Sequence, residues 1–192
     1  MATIVLLGGN GYIGREVTRQ WLAKDRDARF VVVSGSGTNQ LKDARITNVK
    51  ADATDVDTLE KALPAKFDAI VDFIGRPCKD AQDNIRINVE PAKGMQRLAE
   101  ERGARAMGYI GGVLGPKRFT RTKAEMVHSL KQSSVPLAYV EPTIVYGGGR
   151  SDAMSKMVPL LKVVGKFVKN CEPVKVEDVA ADLVGQLTKL LG

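Results

Sequence analysis

Cysteine and histidine are scarce in this chain of 192 residues, which contains two cysteines and one histidine. Cys78 and Cys171 are far apart, and neither has a second cysteine or a histidine close to it in the sequence. The sequence therefore predicts neither a disulfide framework nor a metal site. A chain without predicted disulfides is typical of a reducing compartment, here the cytoplasm or the mitochondrial matrix.

Long apolar runs are also missing. No stretch approaches the about 18 consecutive apolar residues of a membrane-spanning helix, and no charged segment followed by an apolar one stands at the start. We therefore expect no transmembrane segment and no signal peptide. The content of 44% hydrophobic and 27% charged residues is typical of a globular protein. The length predicts one domain over residues 1–192.

Aromatic residues make up only 5% of the chain, and its net charge of +7 is unevenly distributed. Residues 1–96 carry 14 basic and 13 acidic side chains, whereas residues 97–192 carry 15 and 9. Such an excess favours an anionic ligand or surface. Nucleic acid is disfavoured as a partner, because basic residues do not alternate with aromatic residues that could stack on bases.

Buried-strand patterns alternate with amphipathic helical patterns along the chain. This alternation predicts the α/β class, with a doubly wound parallel sheet, or Rossmann fold, covered by helices on both faces. The predicted strands are residues 3–7, 30–33, 46–49, 69–74, 105–110 and 137–140, and the predicted helices are residues 12–24, 56–63, 85–102, 120–132 and 176–191.

One C-terminal stretch departs from this alternation. Between residues 151 and 173, four lysines alternate with apolar residues, and Pro159 and Gly165 interrupt the pattern, which predicts two short helices. We expect residues 147–175 to form a small basic amphipathic lobe, a reduced substrate lobe that packs on the sheet edge. In the alternative, residues 154–169 dock to a protein complex or to an anionic membrane surface.

Glycines at positions 8, 11 and 14 directly follow the first predicted strand and open the first predicted helix. A turn of this kind needs a residue that tolerates positive φ, and a pyrophosphate needs backbone without a side chain in its way. The free amides of the helix N-terminus then face the anion. Gly8, Gly11 and Gly14 therefore predict a dinucleotide-binding turn.

This glycine spacing, with Asn10 and an aromatic residue at position 12, resembles the extended and atypical branch of the short-chain dehydrogenase/reductase family, which is NAD(P)-binding and similar to NAD-dependent epimerases and dehydratases. The resemblance extends over nearly the whole chain, to residues 88–89, 142–147 and 176–180. It implies that the cofactor also contacts Asn10, Tyr12, Ile13, Asp52, Ala53, Ile74, Gly75, Pro142 and Ile144. Of these, Asp52 and Ala53 are implied to lie at the adenine and Pro142 and Ile144 at the nicotinamide.

The end of the second strand bears on the choice between NADP and NAD. An acidic residue there would bind the ribose 2′-hydroxyl and repel a 2′-phosphate. This sequence has Ser34, Gly35 and Ser36 instead, and small hydroxyls and free amides tolerate an anion. We therefore predict NADP rather than NAD, with Lys42 as the nearest basic residue of the loop.

The catalytic positions depart from the family pattern. The family uses a serine or threonine after the fifth strand, where Gly111 and Gly112 stand here, and a tyrosine four residues before a lysine, where Phe119 stands here. Lys123 is kept, and it is expected to bind the nicotinamide ribose. The catalytic candidates are thus Lys123 and Tyr146, the latter as a relocated proton donor or as an apolar ring that closes the pocket.

Two functions remain open at this point. The first is an atypical oxidoreductase that acts on a small organic substrate without the usual acid. The second is a non-catalytic nucleotide-binding accessory subunit or redox sensor, similar to accessory members of this family in quinone-linked mitochondrial complexes. Loss of both hydroxyls favours the second, whereas the intact cofactor motif is compatible with both.

The lysine-rich stretch provides a test of docking. Replacement of Lys162, Lys166 and Lys169 together by Glu should remove association with acidic lipid vesicles or with a native complex, because the attraction is electrostatic. About 0.5 M salt should do the same to the unmodified chain. Cofactor binding should survive both changes. A chain that shows no association at low salt would contradict docking and favour the substrate lobe.

Overall fold

The computed structural model describes residues 1–148 and 172–192. The strands are β1 (Thr3–Leu7), β2 (Arg29–Ser34), β3 (Ile46–Lys50), β4 (Ala69–Asp72), β5 (Ala106–Ile110), β6 (Leu137–Val140), β7 (Val145–Tyr146) and β8 (Val174–Lys175). The helices are α1 (Tyr12–Lys24), α2 (Val56–Ala62), α3 (Ala81–Asn88), α4 (Glu90–Glu101), α5 (Lys117–Leu130) and α6 (Val176–Leu191).

Six of the strands form one parallel sheet in the order β3-β2-β1-β4-β5-β6. The chain winds outward from β1 to β3 and then returns to β4 on the other side of β1. The strand order therefore reverses between β1 and β4, and the carboxyl ends of these two strands diverge into a crevice. The α/β Rossmann fold predicted from the sequence is confirmed.

Helices cover both faces of the sheet and bury its apolar residues. On one face, α2, α4 and α5 contribute Leu59, Met95, Leu98 and Val127 to the core. On the other face, α1 and α6 contribute Val17, Trp21, Leu183, Val184 and Leu187. Because helices cover both faces, the central strands β1, β4 and β5 are apolar along nearly their whole length.

A side chain of α6 forms hydrogen bonds with the backbone of the outer strand β6. The side-chain amide of Gln186 accepts a hydrogen bond from the Tyr139 backbone N–H and donates one to the Tyr139 carbonyl, both at 3.1 Å. These are the two backbone groups that a further strand would bind. One side chain thus satisfies part of the open edge of the sheet.

Several of the predicted strands and helices have different bounds in the structure. Strand β4 ends at Asp72 rather than at residue 74, and α5 begins three residues earlier than predicted. The single helix predicted over residues 85–102 is two helices, separated at Val89. Pro91 explains the break, because proline lacks the N–H that would continue the first helix but is well placed in the first turn of the second. Asp80 caps α3, which extends that helix to Ala81.

Strands β7 and β8 form a separate two-stranded parallel pair, Val145 with Val174 and Tyr146 with Lys175, which the sequence did not predict. This pair flanks residues 149–171, so most of the predicted basic lobe, and all of its docking segment 154–169, lies outside the described residues. None of the described helices has the length and apolar character needed to cross a bilayer.

Gly108 of β5 lets α6 approach the sheet closely. A Cβ at this position would lie 2.8 Å from Val71 Cγ1 and 3.2 Å from Leu187 Cδ1. Replacement of Gly108 by Ala should therefore lower the free energy of unfolding by about 1–3 kcal/mol, measured by urea denaturation.

The matched control is Gly185→Ala in α6, where a Cβ would meet no atom within 4 Å. It should leave stability unchanged or raise it by up to about 1 kcal/mol, because alanine favours helix. Equal effects of the two substitutions would contradict close packing at Gly108.

Candidate functional site

The turn between β1 and α1 is built on three glycines with different roles. Gly8 has φ +73°, and its N–H donates to the Val33 carbonyl at 2.9 Å, which fixes the turn to β2. A Cβ on Gly14 would lie 2.7 Å from Gly9 Cα, so α1 can pack on the turn only with glycine there. A Cβ on Gly11 would meet only the Gly8 carbonyl oxygen, at 3.0 Å. Gly11 therefore keeps open space in front of the helix.

The N-terminus of α1 is open to an anion. Gly11 is the N-cap residue and has no side chain that could cap this end, and no acidic residue lies in the first turn. The first amides of a helix have no intrahelical acceptor, and the helix dipole adds positive potential there. The described geometry therefore fits a pyrophosphate at this position.

A cleft of about 790 Å³ begins at this turn and runs along the carboxyl ends of β2 and β3. Seven predicted cofactor residues line it, namely Gly8, Gly11, Ser34, Gly35, Asp52, Ala53 and Ile74. The sequence had not indicated the other seven, Val33, Lys50, Ala51, Thr54, Phe73, Arg86 and Ile87. Apolar walls with polar groups at the rim suit a flat heteroaromatic ring attached to a ribose.

The loop after β2 has hydroxyls and backbone amides but no carboxylate before Asp43. Ser34 Oγ accepts a hydrogen bond from the Gly37 N–H at 3.1 Å, and Ser36 Oγ lies 2.8 Å from Thr38 Oγ1. The Arg15 guanidinium, in the first turn of α1, donates to Gln40 in the same loop. Arg15 was missed by the sequence analysis, although its position directly after Gly14 was the signal that could have found it.

Asn10 and Tyr12 connect the glycine turn to other loops. Asn10 Oδ1 accepts from the Gln40 N–H at 3.4 Å, and the Tyr12 hydroxyl donates to the Gly147 carbonyl at 2.9 Å. Tyr12 lines a neighbouring depression that it shares with Arg15 and Gln40, rather than the cleft described above. The contacts of both side chains thus support the shape of the turn.

A smaller pocket of about 160 Å³ continues the cleft toward β5 and β6. It includes the predicted residues Ile13, Ile74, Gly75, Lys123 and Pro142, together with Phe73, Ile110, Gly111, Gly112, Leu114, Phe119, Thr143 and Val145. Lys123 and Thr143 are the two of these side chains that carry a polar hydrogen. The Thr143 hydroxyl is engaged, since it donates to the Glu172 carbonyl.

Lys123 is almost completely buried at this pocket, with 3% of its surface exposed. Its Nζ donates to the carbonyls of Ile74 at 3.1 Å and Ile110 at 3.0 Å, at the ends of two neighbouring strands. The ring centre of Tyr109 lies 4.5 Å from Nζ. A Cβ on Gly75 would lie 2.5 Å from Nζ, so only glycine leaves room for the ammonium group.

Asp72 is a buried carboxylate in the same region, and the sequence analysis missed it. It accepts a hydrogen bond from the Ile74 N–H at 2.8 Å. Burial raises the pKa of Asp72 to about 6, against the attraction of Lys123, and burial lowers the pKa of Lys123 to about 8, against the attraction of Asp72. An acidic residue inside an otherwise apolar strand pattern was the signal that could have found it.

Tyr109 lies behind the pocket and is fully buried. Among the described residues its hydroxyl has no hydrogen-bond partner, and burial together with Asp72 raises its pKa. Tyr109 does not belong to the described lining of the smaller pocket. Its contribution there is the ring beside Lys123.

A chain of asparagines supports the backbone around Gly75. Asn88 accepts from the Arg76 N–H at 3.0 Å and donates to the Arg76 carbonyl at 2.9 Å. Asn88 also donates to Asn84, which in turn donates to Thr122 of α5. These bonds attach α3 and α5 to the loop that covers Lys123.

Six predicted site residues lie outside the lining of the cleft and the smaller pocket, as far as the described residues show: Asn10, Tyr12 and Gly14 of the glycine turn, and Ser36, Ile144 and Tyr146. Tyr146 belongs to β7 and pairs with Lys175 in the register of the β7–β8 ladder. The Ile144 carbonyl accepts from the Val174 N–H at 2.8 Å. Ser36 is exposed in the loop after β2. Within residues 1–148 and 172–192, no cluster of His, Cys, Asp and Glu side chains is arranged to hold a metal ion.

Comparison with known proteins places this geometry in a family. The family model described as "NAD dependent epimerase/dehydratase family" matches residues 4–118, more than half of the 192 residues. A search of curated protein sequences finds no match. The matched segment contains the glycine turn, Asp72 and Gly75, and it ends in the first turn of α5.

Solved structures share the fold at low sequence identity. The Bordetella bronchiseptica enzyme WbmG in complex with NAD is 18% identical, with TM-score 0.67 over 85% of this chain and 60% of its own. WbmH of the same organism, in complex with NAD⁺, is 16% identical, with TM-score 0.72 over 98% of this chain and 72% of its own. The UDP-Glc/GlcNAc 4-epimerase of Campylobacter jejuni is 16% identical, with TM-score 0.73 over 96% and 73%. This chain thus covers less than two thirds of the length of WbmG.

The buried pair Asp72 and Lys123 should give a pH-dependent stability. The folded chain holds the Asp72 proton more tightly than the unfolded chain, so the wild type should lose stability as the pH rises from about 4 to about 6. The unfolded chain holds the Lys123 proton more tightly, so stability should return as the pH rises from about 8 to about 10. Urea denaturation of the Asp72→Asn/Lys123→Met variant, which lacks both groups, should therefore show its largest advantage over the wild type between pH 6 and 8. The loss of wild-type stability between pH 4 and 6 and its recovery between pH 8 and 10 should each be on the order of 3 kcal/mol in the free energy of unfolding.

The control is the Lys117→Met/Glu125→Gln variant, which removes one charge of each sign from the exposed side of α5. Its stability difference from the wild type should not vary over these pH ranges. A flat difference for the buried pair would contradict the pKa directions given above.

Proposed function

The chain belongs to the NAD dependent epimerase/dehydratase family, and on that premise we propose that it binds NADP(H) across the carboxyl ends of β1 and β4. NAD(H) is the weaker alternative. The adenine end would occupy the larger cleft, and the nicotinamide end would reach the smaller pocket beside Lys123. The observation that carries the proposal is the uncapped, glycine-lined N-terminus of α1 between these two spaces.

The residues present fit such a cofactor. A larger residue at Gly11 would fill the space in front of the helix, and Gly35 has open space around it in the cleft. Ala51 and Ala53 leave the cleft wall smooth, and the Asp52 carboxylate is occupied by hydrogen bonds from the Thr54 backbone N–H at 2.9 Å and hydroxyl at 2.8 Å. These features support a nucleotide in this cleft.

Two features favour NADP over NAD. The loop after β2 has no acidic side chain to repel a 2′-phosphate before Asp43, and it presents the hydroxyls of Ser34 and Ser36. Arg15 donates a hydrogen bond to Gln40 of this loop, so a guanidinium lies beside the loop, in the depression next to the cleft. The 2′-phosphate would then pair with Arg15 rather than with Lys42, the nearest basic residue in the loop.

For the chemistry, we propose an oxidoreductase that acts on a small organic substrate. A bound nicotinamide supplies or accepts a hydride. The volume of about 160 Å³ limits what the described part of the pocket holds beside the ring. Phe119 and Leu114 give the pocket apolar walls, which exclude water from the reacting atoms. Lys123 would bind the nicotinamide ribose through its ammonium group.

A second candidate function, without catalysis, is favoured by the residues at the catalytic positions. Phe119, Gly111 and Gly112 occupy the positions where the family has its hydroxyls, so none of these three residues donates a proton to a substrate. The chain would then be a non-catalytic nucleotide-binding subunit or redox sensor. It would retain the cofactor for stability or signalling, and its partner would be a protein complex or a membrane surface.

Cofactor binding is tested first by thermal unfolding with NADPH and with NADH. At about 100-fold above Kd, NADPH should add about 2.7 kcal/mol, or roughly 5 to 10 °C in melting temperature for a chain of this size. NADH at the same concentration should give a smaller shift. No shift with either dinucleotide would contradict the proposed function, and a larger shift with NADH would contradict only the preference for NADP.

The glycine turn is tested by Gly11→Val, which should abolish the NADPH shift and leave a folded chain. The added side chain would occupy the space in front of α1, where the one described atom that its Cβ would approach closely is the Gly8 carbonyl oxygen, at 3.0 Å. Gly185→Val in α6, where a Cβ meets nothing within 4 Å, is the matched control and should keep the full shift. Undiminished binding by Gly11→Val would show that the pyrophosphate lies elsewhere.

A further inference from the structure

The described lining of the smaller pocket lacks the usual proton donor, and we propose that the Lys123 ammonium group takes its place, with Asp72 as the residue that positions the charge. This proposal rests on the proposed hydride-transfer function. It assigns the chemistry of the pocket to a residue that the family pattern would use only to bind the cofactor. It also gives a role to a buried carboxylate that the dinucleotide does not require.

Few side chains described at the smaller pocket carry a polar hydrogen. Among the described residues that line it, those of Lys123 and Thr143 alone carry one. Thr143 directs its hydroxyl at the Glu172 carbonyl, away from a donor role. Phe119 has a ring and no hydroxyl. Lys123 is therefore the donor that the described lining of the pocket offers.

Two backbone carbonyls hold the ammonium group of Lys123 in place. An ammonium has three N–H bonds, and two of those on Lys123 bind the Ile74 and Ile110 carbonyls. These two bonds hold Nζ at the junction of β4, β5 and the pocket, directly beneath Gly75. The third N–H remains for one ligand oxygen in the pocket, and in this proposal that oxygen is the substrate carbonyl rather than a ribose hydroxyl. A general acid must lie within hydrogen-bond reach of its target, and this position meets that requirement for a ligand seated against Gly75.

Asp72 of β4 and Lys123 are joined through Ile74. The Asp72 carboxylate accepts from the Ile74 N–H at 2.8 Å, and the Ile74 carbonyl accepts from Lys123 Nζ at 3.1 Å. Asp72 is therefore a buried opposite charge near Nζ, and it favours the protonated amine. Tyr109 of β5 contributes only a neutral ring, and Asn88 of α3 is an amide. Glu141, after β6, lies against Gly111 but is exposed to solvent, and Arg76 has an exposed side chain. Asp72 is thus the group whose removal should change the protonation of Lys123 most.

The role of Lys123 would be to supply the proton of a carbonyl reduction. A bound reduced dinucleotide would supply the hydride to the carbonyl carbon of the substrate, and the carbonyl oxygen would take a proton from the Lys123 ammonium. The products are the alcohol, the oxidised dinucleotide and a neutral lysine amine. The amine regains its proton from solvent before the next turnover. Burial brings the pKa of Lys123 to about 8, close to the working pH that favours general acid catalysis.

The first experiment measures Lys123 itself, without cofactor or substrate. The pH dependence of its acetylation by acetic anhydride, followed by mass spectrometry, should give a pKa of about 8, well below the ordinary value of a lysine. Asp72→Asn should lower the pKa of Lys123 further, because the opposite charge is lost. Glu125→Gln, an exposed carboxylate on the same helix, is the matched control and should leave it unchanged. An Asp72→Asn variant with the wild-type Lys123 pKa would overturn the positioning role of Asp72.

The second experiment follows the oxidation of saturating NADPH with 2,3-butanedione as the carbonyl probe. The wild-type kcat should fall as the pH rises through the pKa of Lys123, and Asp72→Asn should move this fall to lower pH. Lys123→Met should lose at least about 100-fold in kcat. Lys117→Met, the matched lysine on the exposed side of α5, should keep wild-type kcat. The Asp72→Asn/Lys123→Met variant, without an unpaired buried carboxylate, repeats the test if Lys123→Met alone does not fold.

The remaining outcomes separate the proposals. Loss of turnover in Tyr146→Phe with a wild-type pH profile in Asp72→Asn would assign the proton to Tyr146 and overturn the role of Lys123. Binding of NADPH without any reduction of the probe would overturn it as well and favour the non-catalytic subunit. Failure to bind NADPH at any pH would instead overturn the proposed function, and this proposal with it.

Discussion

A buried ammonium group needs acceptors, and the Lys123 ammonium finds them at the carboxyl ends of β4 and β5. This requirement fixes the position of α5 against the sheet and excludes any side chain at Gly75. It also explains why a carboxylate at Asp72 is tolerated inside the protein, since each charge reduces the cost of burying the other. The asparagines of α3 then hold the loop that covers the pair. The candidate site is organised around this one buried charge.

Local patterns predicted the elements that depend on local physics. Apolar runs ending in glycine identified the central strands, and the spacing of Gly8, Gly11 and Gly14 identified the turn and part of the cleft that begins there. Features that depend on tertiary contacts were not predictable in this way. The β7–β8 pair has two residues in each strand, too few for a periodic pattern, and the split between α3 and α4 required Pro91 to be placed in the first turn of a helix. Asp72 was hidden within a segment that otherwise has the pattern of a buried strand.

The cleft and the smaller pocket differ in how many of the residues expected from the family pattern they contain. The cleft at β2 and β3 has the open backbone, hydroxyls and apolar walls that a nucleotide needs, and most of it falls within the segment that matches the family. The smaller pocket has a phenylalanine and two glycines where proton-transfer groups are expected. Different residues would therefore support the binding of a nucleotide and the chemistry at this site, so that one could be kept without the other. Membership of the family therefore says more about the binding of a nucleotide than about the reaction.

The hydrogen bonds of the Gln186 amide affect whether another copy of the chain can add a strand to the edge of the sheet. An outer strand with free N–H and C=O groups is a template on which another chain can add a strand, and this is a common route to aggregation. Gln186 occupies both groups of Tyr139 at the middle of β6, so an incoming strand would first have to displace a side chain anchored on a helix. The opposite outer strand, β3, has exposed polar residues at Thr47 and Asn48. The sheet therefore resists growth on the β6 side by hydrogen-bond occupancy and on the β3 side by polarity.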